Sequence, residues 1–282
     1  MRKVLISADS TCDLTDRQKE ENHILSCPLH IILNDKSYDD SVDIFPEELY
    51  ALFRSTGQLP KTAAVNTEEY IQKFLPYIDD GFDIVHINIS SAISASYQNC
   101  REAAEKIGHL YSIDSKNLST GTGLLVLEAV RLVHEGCTAK ECETELNKLV
   151  SHVHASFILD RLDFMRAGGR CSTVAMLGAN LLNLKPCIEV DPISGKMSVG
   201  KKYRGSLEKV LPQYVSYKIN AYPHIRNGRI FITHSGISAE REQLVYNQLK
   251  ETERFSEIII TRASCTISSH CGPNTLGVLF MD

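Results

Sequence analysis

Four serine hydroxyls, Ser90, Ser91, Ser94 and Ser96, crowd the segment between an apolar run at 83–89 and a helix expected at 97–107. The first turn of a helix leaves backbone N–H groups unpaired and carries partial positive charge. Hydroxyls placed there either cap the helix or join those N–H groups in holding an anion. One serine suffices for a cap, so the surplus points towards a ligand, and Ala92 and Ala95 leave room for it near the backbone. Two further residues suit the same chemistry. Thr62 follows Pro60 and Lys61 at what reads as another helix entry, and His270 lies in a stretch, Ser268 to Pro273, that reads as a turn before the last strand.

The signals for other chemistry are weaker. Asp9 and Asp13 flank Ser10 and Thr11, a pattern open to an aspartyl nucleophile or a magnesium site, but Asp favours turns and caps. Cys271 beside His270 does not make a Cys/His pair, because sequence neighbours rarely hold the required geometry. Gly168-Gly169-Arg170 is a flexible element with a cation attached; it lacks the GK[ST] ending of a phosphate loop and does not match GxGxxG. Gly121-Thr122-Gly123 falls equally short. The carboxylates form no metal-ligand cluster, and no cofactor is expected.

These residues need elements to hold them. Strands are expected at 3–8, 83–89 and 109–113, and helices at 15–21, 44–55, 67–75, 97–107, 121–134 and 138–153. Strands alternating with helices imply parallel βα units in a sheet covered on both faces, with ligands at the carboxyl ends of the strands. The turn after Ala8 and the serine loop after Ile89 both fall there. Beyond His154 the texture changes. An extended stretch is expected at 156–162 and a small-residue helix at 176–182. A hairpin follows, joining 187–191 to 196–201 around Pro192-Ile193-Ser194-Gly195. Helices at 206–220 and 239–250 then alternate with strands at 229–233, 257–261 and 275–281. The reading is an α/β chain with two domains: 1–153 with a parallel sheet, and 154–282, α+β with a mixed sheet.

The chain has 282 residues, 43% hydrophobic and 23% charged, enough to bury a core without disulfides or metals. A net charge of −5 and a pI near 6.1 exclude the basic stripe of a nucleic-acid binder. No polybasic run suggests a membrane patch, and no segment is long and apolar enough for stable membrane insertion. The nine cysteines are scattered without a CxxC pair, as for free thiols in a reducing compartment, so a cytoplasmic location is expected.

Taken in order, several motifs resemble the DegV family. Asp9-Ser10-Thr11-Cys12-Asp13-Leu14 is similar to its DSTxDL, Ile93-Ser94-Ala95-Ser96-Tyr97-Gln98 to its LSGTYQ, and the stretch from Leu162 to Arg170 to its L-x-x-L-x-KGGR. Lys185-Pro186, Lys202-x-Arg204-Gly205 and His270-x-Gly272-Pro273 with Gly277 complete the set. The resemblance implies the two-domain DegV fold with a long-chain fatty acid bound between the domains. It implies a carrier rather than an enzyme, acting as the fatty-acid-binding subunit of a bacterial fatty acid kinase whose separate kinase subunit makes the acyl phosphate. By position, Thr62, Ser94 and His270 would hydrogen-bond the carboxylate, and Arg170 and Arg204 would lie near the kinase-docking face. The chain departs from the pattern where Ala63, Ala64 and Val65 replace Ser-Gln-Pro, where Ala95-Ser96 replaces Gly-Thr, where Ala167 replaces Lys and where Asn274 replaces Gly.

A palmitate-sized tail of about 14 methylenes contributes at most about 11 kcal/mol on burial, against roughly 1.5–3 kcal/mol for each charge-assisted hydrogen bond. The tail therefore sets affinity, and the hydroxyls select acid over ester. Ile93, Phe157, Leu159 and Met165 are candidate tunnel residues, with Met176, Leu177, Leu181 and Leu184 beside them. The alternatives are a phosphotransferase or hydrolase working at Asp9 and Ser10 or at the Ser94 loop, and a lipid-sensing regulator.

Overall fold

The structure is a computed structural model and describes residues 2–33, 36–176 and 184–282. The chain opens with β1 (Lys3–Asp9), α1 (Asp16–Glu21), β2 (Leu25–Cys27), β3 (His30–Leu33), β4 (Lys36–Asp39) and α2 (Pro46–Thr56). It continues through β5 (Lys61–Ala63), α3 (Thr67–Asp79), β6 (Phe82–Asn88), α4 (Ser96–Ile107), β7 (Leu110–Asp114), α5 (Ser119–His134) and α6 (Ala139–Leu149). Then follow β8 (Val153–Ile158), α7 (Asp163–Gly168), α8 (Ser172–Ala175), β9 (Leu184–Val190), β10 (Met197–Arg204) and α9 (Leu207–Ala221). The chain closes with β11 (Arg229–His234), α10 (Ala239–Glu251), β12 (Glu257–Arg262), α11 (Cys265–Cys271) and β13 (Leu276–Met281).

The described residues form three sheets. The first is parallel, in the order β2-β1-β6-β7. Its two central strands, β1 and β6, are largely buried and mostly apolar because both faces are covered. On one face Leu5 and Ile84 meet Tyr70 and Phe74 of α3 and Ala103 of α4. On the other, Ile6, Val85 and Ile87 meet Leu124, Leu125 and Ala129 of α5. The two-residue period of a strand produces this division.

The second sheet is mixed, in the order β10-β9-β8-β13-β11-β12, with β11 and β12 parallel and the other pairs antiparallel. Leu276, Val278 and Phe280 of β13 face α9 and α10, while Leu279 and Met281 turn to the core that contains α5. That helix therefore lies between the two large sheets and carries no charged residue from Ser119 to Leu127.

A third, antiparallel sheet, β4-β3-β5, was not expected from the sequence. With α2 it forms a small module whose core of Ile31, Leu49 and Tyr50 packs on Phe164 of α7 and Cys265 of α11. The ring of Phe164 lies 4.7 Å from Phe53 and 6.1 Å from Tyr50, both edge-on. This contact clamps the module onto the second half of the chain.

Some expected elements move. The helix expected at 138–153 stops at Leu149, and a 3-10 turn, Val150–His152, leads into β8, which starts before the stretch expected at 156–162. The hairpin at Pro192 forms as expected, with Gly195 at φ +68°. Most of the helix expected at 176–182 lies outside the described residues. Among the described residues no helix is long and apolar enough to cross a membrane, and no group of three or more His, Cys, Asp or Glu residues could hold a metal. All nine cysteines are free thiols.

Candidate functional site

A cavity of about 220 Å³ is lined from all three sheets. α11 supplies one wall through Thr266, Ile267, His270 and Cys271, whose spacing puts them on one helical face. Gly277 and Leu279 of β13 face the cavity from the mixed sheet, with Phe157 of β8 and Met165 of α7 nearby. Ile89, Ile93 and Leu118 complete the apolar lining from the parallel sheet's side.

The far wall also carries hydroxyls, but their hydrogen bonds are made within the protein. Ser119 Oγ donates to Asp13 at 2.5 Å, and Thr275 Oγ1 donates to the Cys271 carbonyl at 2.8 Å. Thr233 Oγ1 pairs with the hydroxyls of Thr120 at 2.6 Å and Thr261 at 2.9 Å, and Ser235 Oγ donates to the Gly272 carbonyl. Hydroxyls satisfied in this way do not penalise an aliphatic chain laid against them.

At the polar end, Thr62, Ser94, Arg170 and His270 all line the same cavity. Thr62 was expected at a helix entry; it lies in β5, paired with Ile31 of β3. Its Oγ1 is 2.8 Å from His270 Nε2. His270 was expected in a turn and instead occupies the last turn of α11. Its other ring nitrogen, Nδ1, is buried without a partner among the described residues, and a Cβ placed on Gly168 would fall 2.1 Å from it. Burial, reinforced by the positive charge of Arg170, pushes the imidazole pKa down to about 4, so the ring is neutral at pH 7.

Ser94 sits just ahead of α4, which begins at Ser96 rather than Tyr97. Its Oγ accepts the Ser96 N–H at 3.2 Å and lies 2.9 Å from the Ser96 hydroxyl, so it satisfies the first N–H of the helix and lines the cavity at once. The neighbouring serines have structural work. Ser90 Oγ donates to the Gly195 carbonyl across the molecule at 3.1 Å, and Ser91 Oγ donates to Asp114 at 2.5 Å. The surplus hydroxyls that hinted at a ligand are thus accounted for, apart from Ser94 itself.

Arg170 is exposed beside the cavity and donates to the Gly168 carbonyl at 2.6 Å. Arg204 does not line the cavity; it is exposed at the end of β10. Of the candidate tunnel residues, Ile93, Phe157 and Met165 line it. Leu159 is buried in the core, Met176 is 81% exposed and Leu184 lies at the start of β9, all three away from the cavity. Leu177 and Leu181 lie outside the described residues.

Behind the site stands an unusual cap. The hydroxyl of Ser264, the N-cap of α11, makes no capping bond. Asp40 instead accepts the N–H groups of Cys265 at 2.8 Å and Thr266 at 3.1 Å, and Asp13 accepts that of Ser264 at 2.9 Å. Both carboxylates are buried and sit where helix geometry favours negative charge. Burial nonetheless raises the Asp13 pKa to about 7, with the charge of Asp40 adding to the rise against the hydrogen bonds of Ser119 and Ser264.

Asp9 and Ser10, the alternative nucleophile region, do not line the cavity. Asp9 is fully buried, and its oxygens accept from Tyr70 Oη at 2.7 Å and the Ile89 N–H at 2.9 Å, with His86 Nε2 at 3.1 Å. Ser10 Oγ donates to Asp40 at 3.1 Å and accepts the Leu29 N–H at 3.1 Å. These residues brace the loops that end at Ser94 and α11. Sequence reasoning missed Asp40 altogether, and it read Gly168 as flexible where the structure uses its lack of a side chain.

A sequence model described as "Uncharacterised protein, DegV family" matches residues 3–282. A DegV domain-containing protein of Clostridium acetobutylicum is 30% identical over 285 residues, covering 100% of this chain and 99% of that one. A solved structure described as "Fatty Acid Binding of a DegV family Protein from Thermus thermophilus" superposes with a TM-score of 0.89 at 26% identity, covering 100% of both chains. DegV of Bacillus subtilis, described as a fatty acid binding protein, superposes with a TM-score of 0.85 at 21% identity over 100% of each chain, a likeness of fold.

Proposed function

The chain belongs to the DegV family and has its fold, and from that premise we propose that it binds one long-chain fatty acid between two domains, 1–153 and 154–282. The observation that carries this reading is the composition of the cavity. An apolar lining of Ile89, Ile93, Phe157, Met165 and Leu279 ends at Thr62, Ser94, His270 and Arg170. A carboxylate at that end meets hydroxyl donors and one guanidinium, and the tail follows the apolar wall. Arg170 is the fixed positive charge, since His270 is neutral.

The carrier does no chemistry on the acid and needs no cofactor. A separate kinase subunit, met in the cytoplasm, phosphorylates the presented carboxylate to an acyl phosphate. The exposure of Arg170 beside the carboxylate, together with exposed Arg204, supports a docking face for an anionic phosphate donor and its enzyme.

Native mass spectrometry of protein purified from bacteria without delipidation tests the binding reading. The expected result is a copurified mass equal to one long-chain fatty acid. Thr62→Ala combined with Ser94→Ala should weaken palmitate binding by at least about tenfold, the worth of one charge-assisted hydrogen bond. A purified protein that neither carries a fatty acid nor takes up added palmitate sinks the proposal.

A further inference from the structure

We infer that the mixed sheet carries a second ligand site, on the face turned away from the Thr62–Ser94 cavity, and that it takes a small zwitterion: a free α-amino acid with an apolar or aromatic side chain.

The two-residue period of a strand divides β8 and β13 between two sites. Phe157 and Leu279 line the Thr62–Ser94 cavity on the α5 side. His154 and Phe280, of opposite parity, line another cavity of about 180 Å³. Lys218 and Tyr222, at the end of α9, close it from one side, and Glu189 and Asp191, at the end of β9, from the other. One wall is aromatic: the His154 and Tyr222 ring centroids lie 4.0 Å apart, and those of Tyr222 and Phe280 5.2 Å apart.

The rest of the lining carries charges of both signs with bonding capacity to spare. The Lys218 side chain is only 13% exposed, and its Nζ meets Glu189 Oε1 at 2.5 Å. A lysine ammonium has three donors, and among the described residues Glu189 takes one. The carboxylate of Glu189 lies over Gly200, where a Cβ would fall 2.5 Å from both its Cδ and its Oε1. Gly200 has no positive φ and sits within the bulge of β10, so its want of a side chain is steric and makes the bed for Glu189 beside Lys218. Asp191 Oδ1 accepts the N–H and the hydroxyl of Ser194, both at 2.7 Å, which hold its pKa below the usual carboxylate range and keep it ionised. Asp191 Oδ2 and Glu189 Oε2 accept no hydrogen bond among the described residues.

A mostly buried ammonium with donors to spare attracts a carboxylate, yet Glu189 and Asp191 repel a plain anion, and Lys218 repels a plain cation. A molecule with an ammonium and a carboxylate on one carbon answers both, its carboxylate on Lys218 and its ammonium on Asp191 and Glu189, by charge-assisted hydrogen bonds. Its side chain then lies on the rings of Tyr222, His154 and Phe280. The cavity holds roughly six times the ~30 Å³ share of a liquid water, the size of one amino acid rather than a peptide.

The test is titration calorimetry with L-phenylalanine and L-leucine as probes, and with hydrocinnamate and phenethylamine, which each lack one of the two charges. At least one of the amino acids should bind at millimolar concentration, one per chain. The two singly charged analogues should bind at least about tenfold more weakly than phenylalanine, the worth of one charge-assisted hydrogen bond. Lys218→Met should cost a similar factor. Asp191→Asn keeps Oδ1 for Ser194 and so keeps the turn, and it too should weaken binding. Thermal unfolding of both variants separates loss of the fold from loss of the site, and palmitate uptake by both should match the wild type. Absence of binding by either amino acid, binding unmoved by Lys218→Met in a folded protein, or a singly charged analogue that binds as tightly as phenylalanine would each overturn the inference.

Discussion

Asp40 caps the helix that begins at Cys265, across a separation of 225 positions, by accepting the Cys265 N–H at 2.8 Å. Its second oxygen takes the next N–H, of Thr266, so one carboxylate replaces the local side-chain cap that α11 lacks. Removing it strands two buried donors. Asp40→Ala is expected to destabilise the protein by about 2–4 kcal/mol, the sum of a lost cap and an unsatisfied buried donor. Urea unfolding measures this, and a loss below about 0.5 kcal/mol, the size of an ordinary surface change, would refute it.

Asp13 gives the same junction a pH dependence. Its pKa is raised in the folded state from 3.8 to about 7, so the folded protein holds a proton that the unfolded chain has released. The associated stability is fully present below pH 4 and is lost as the pH rises through about 7. Asp13→Asn removes this titration. The stability of the wild type relative to that variant should therefore fall between pH 4 and pH 7 and level off above. Unfolding curves at a series of pH values test it; parallel pH profiles for the two proteins would show that Asp13 does not titrate in this window.

Arg170 should act on both ligand and ring. Arg170→Ala is predicted to weaken palmitate binding by about tenfold and to flatten its dependence on ionic strength, because the exposed guanidinium is screened by salt. The His270 pKa should rise from about 4 in the variant, yet stay below 6.5, since burial is the larger cause of its depression. Proton NMR of the ring in both proteins checks this, and an unmoved His270 titration counts against the assigned proximity.

Phe164 ties the small module to the rest. It is fully buried and lies edge-on to both Tyr50 and Phe53. Phe164→Ala is expected to cost about 3–5 kcal/mol, as other large-to-small core changes do. Hydrogen exchange should also quicken first in β3 and α2, whose own core packs on that ring. Uniform acceleration across the chain would argue that the module is no separate unit.

Much of the parallel sheet was legible because buried strands such as β1 and β6 are long apolar runs and the helices between them show clear periodicity. Of the small module only α2 was, as the helix expected at 44–55. Its strands were not: β5 has three residues, too few for a period of two to show, and β3 and β4 have four. α11 was read as a turn because Ser, Thr, Cys and His are poor helix formers and Gly272-Pro273 follows. Its helical state comes from Asp13 and Asp40, which no local window contains. Ser94 was legible from its own neighbourhood, whereas Thr62 and His270 came into view through the family motifs. Their contact with each other, and the part played by Gly168, depend on chain segments that meet only in the folded molecule.

The distant cap also orders events in time. A helix of seven residues does not persist alone in water, and α11 receives its caps from residues synthesised more than two hundred positions earlier. The wall that carries His270 can therefore form only on an N-terminal half that is already in place. The binding site is then among the last parts of the molecule to be assembled, and a nascent or partly folded chain is empty. Pulse-labelled hydrogen exchange during refolding should show the α11 amides gaining protection after those of β6, and protection at the same rate would contradict this order.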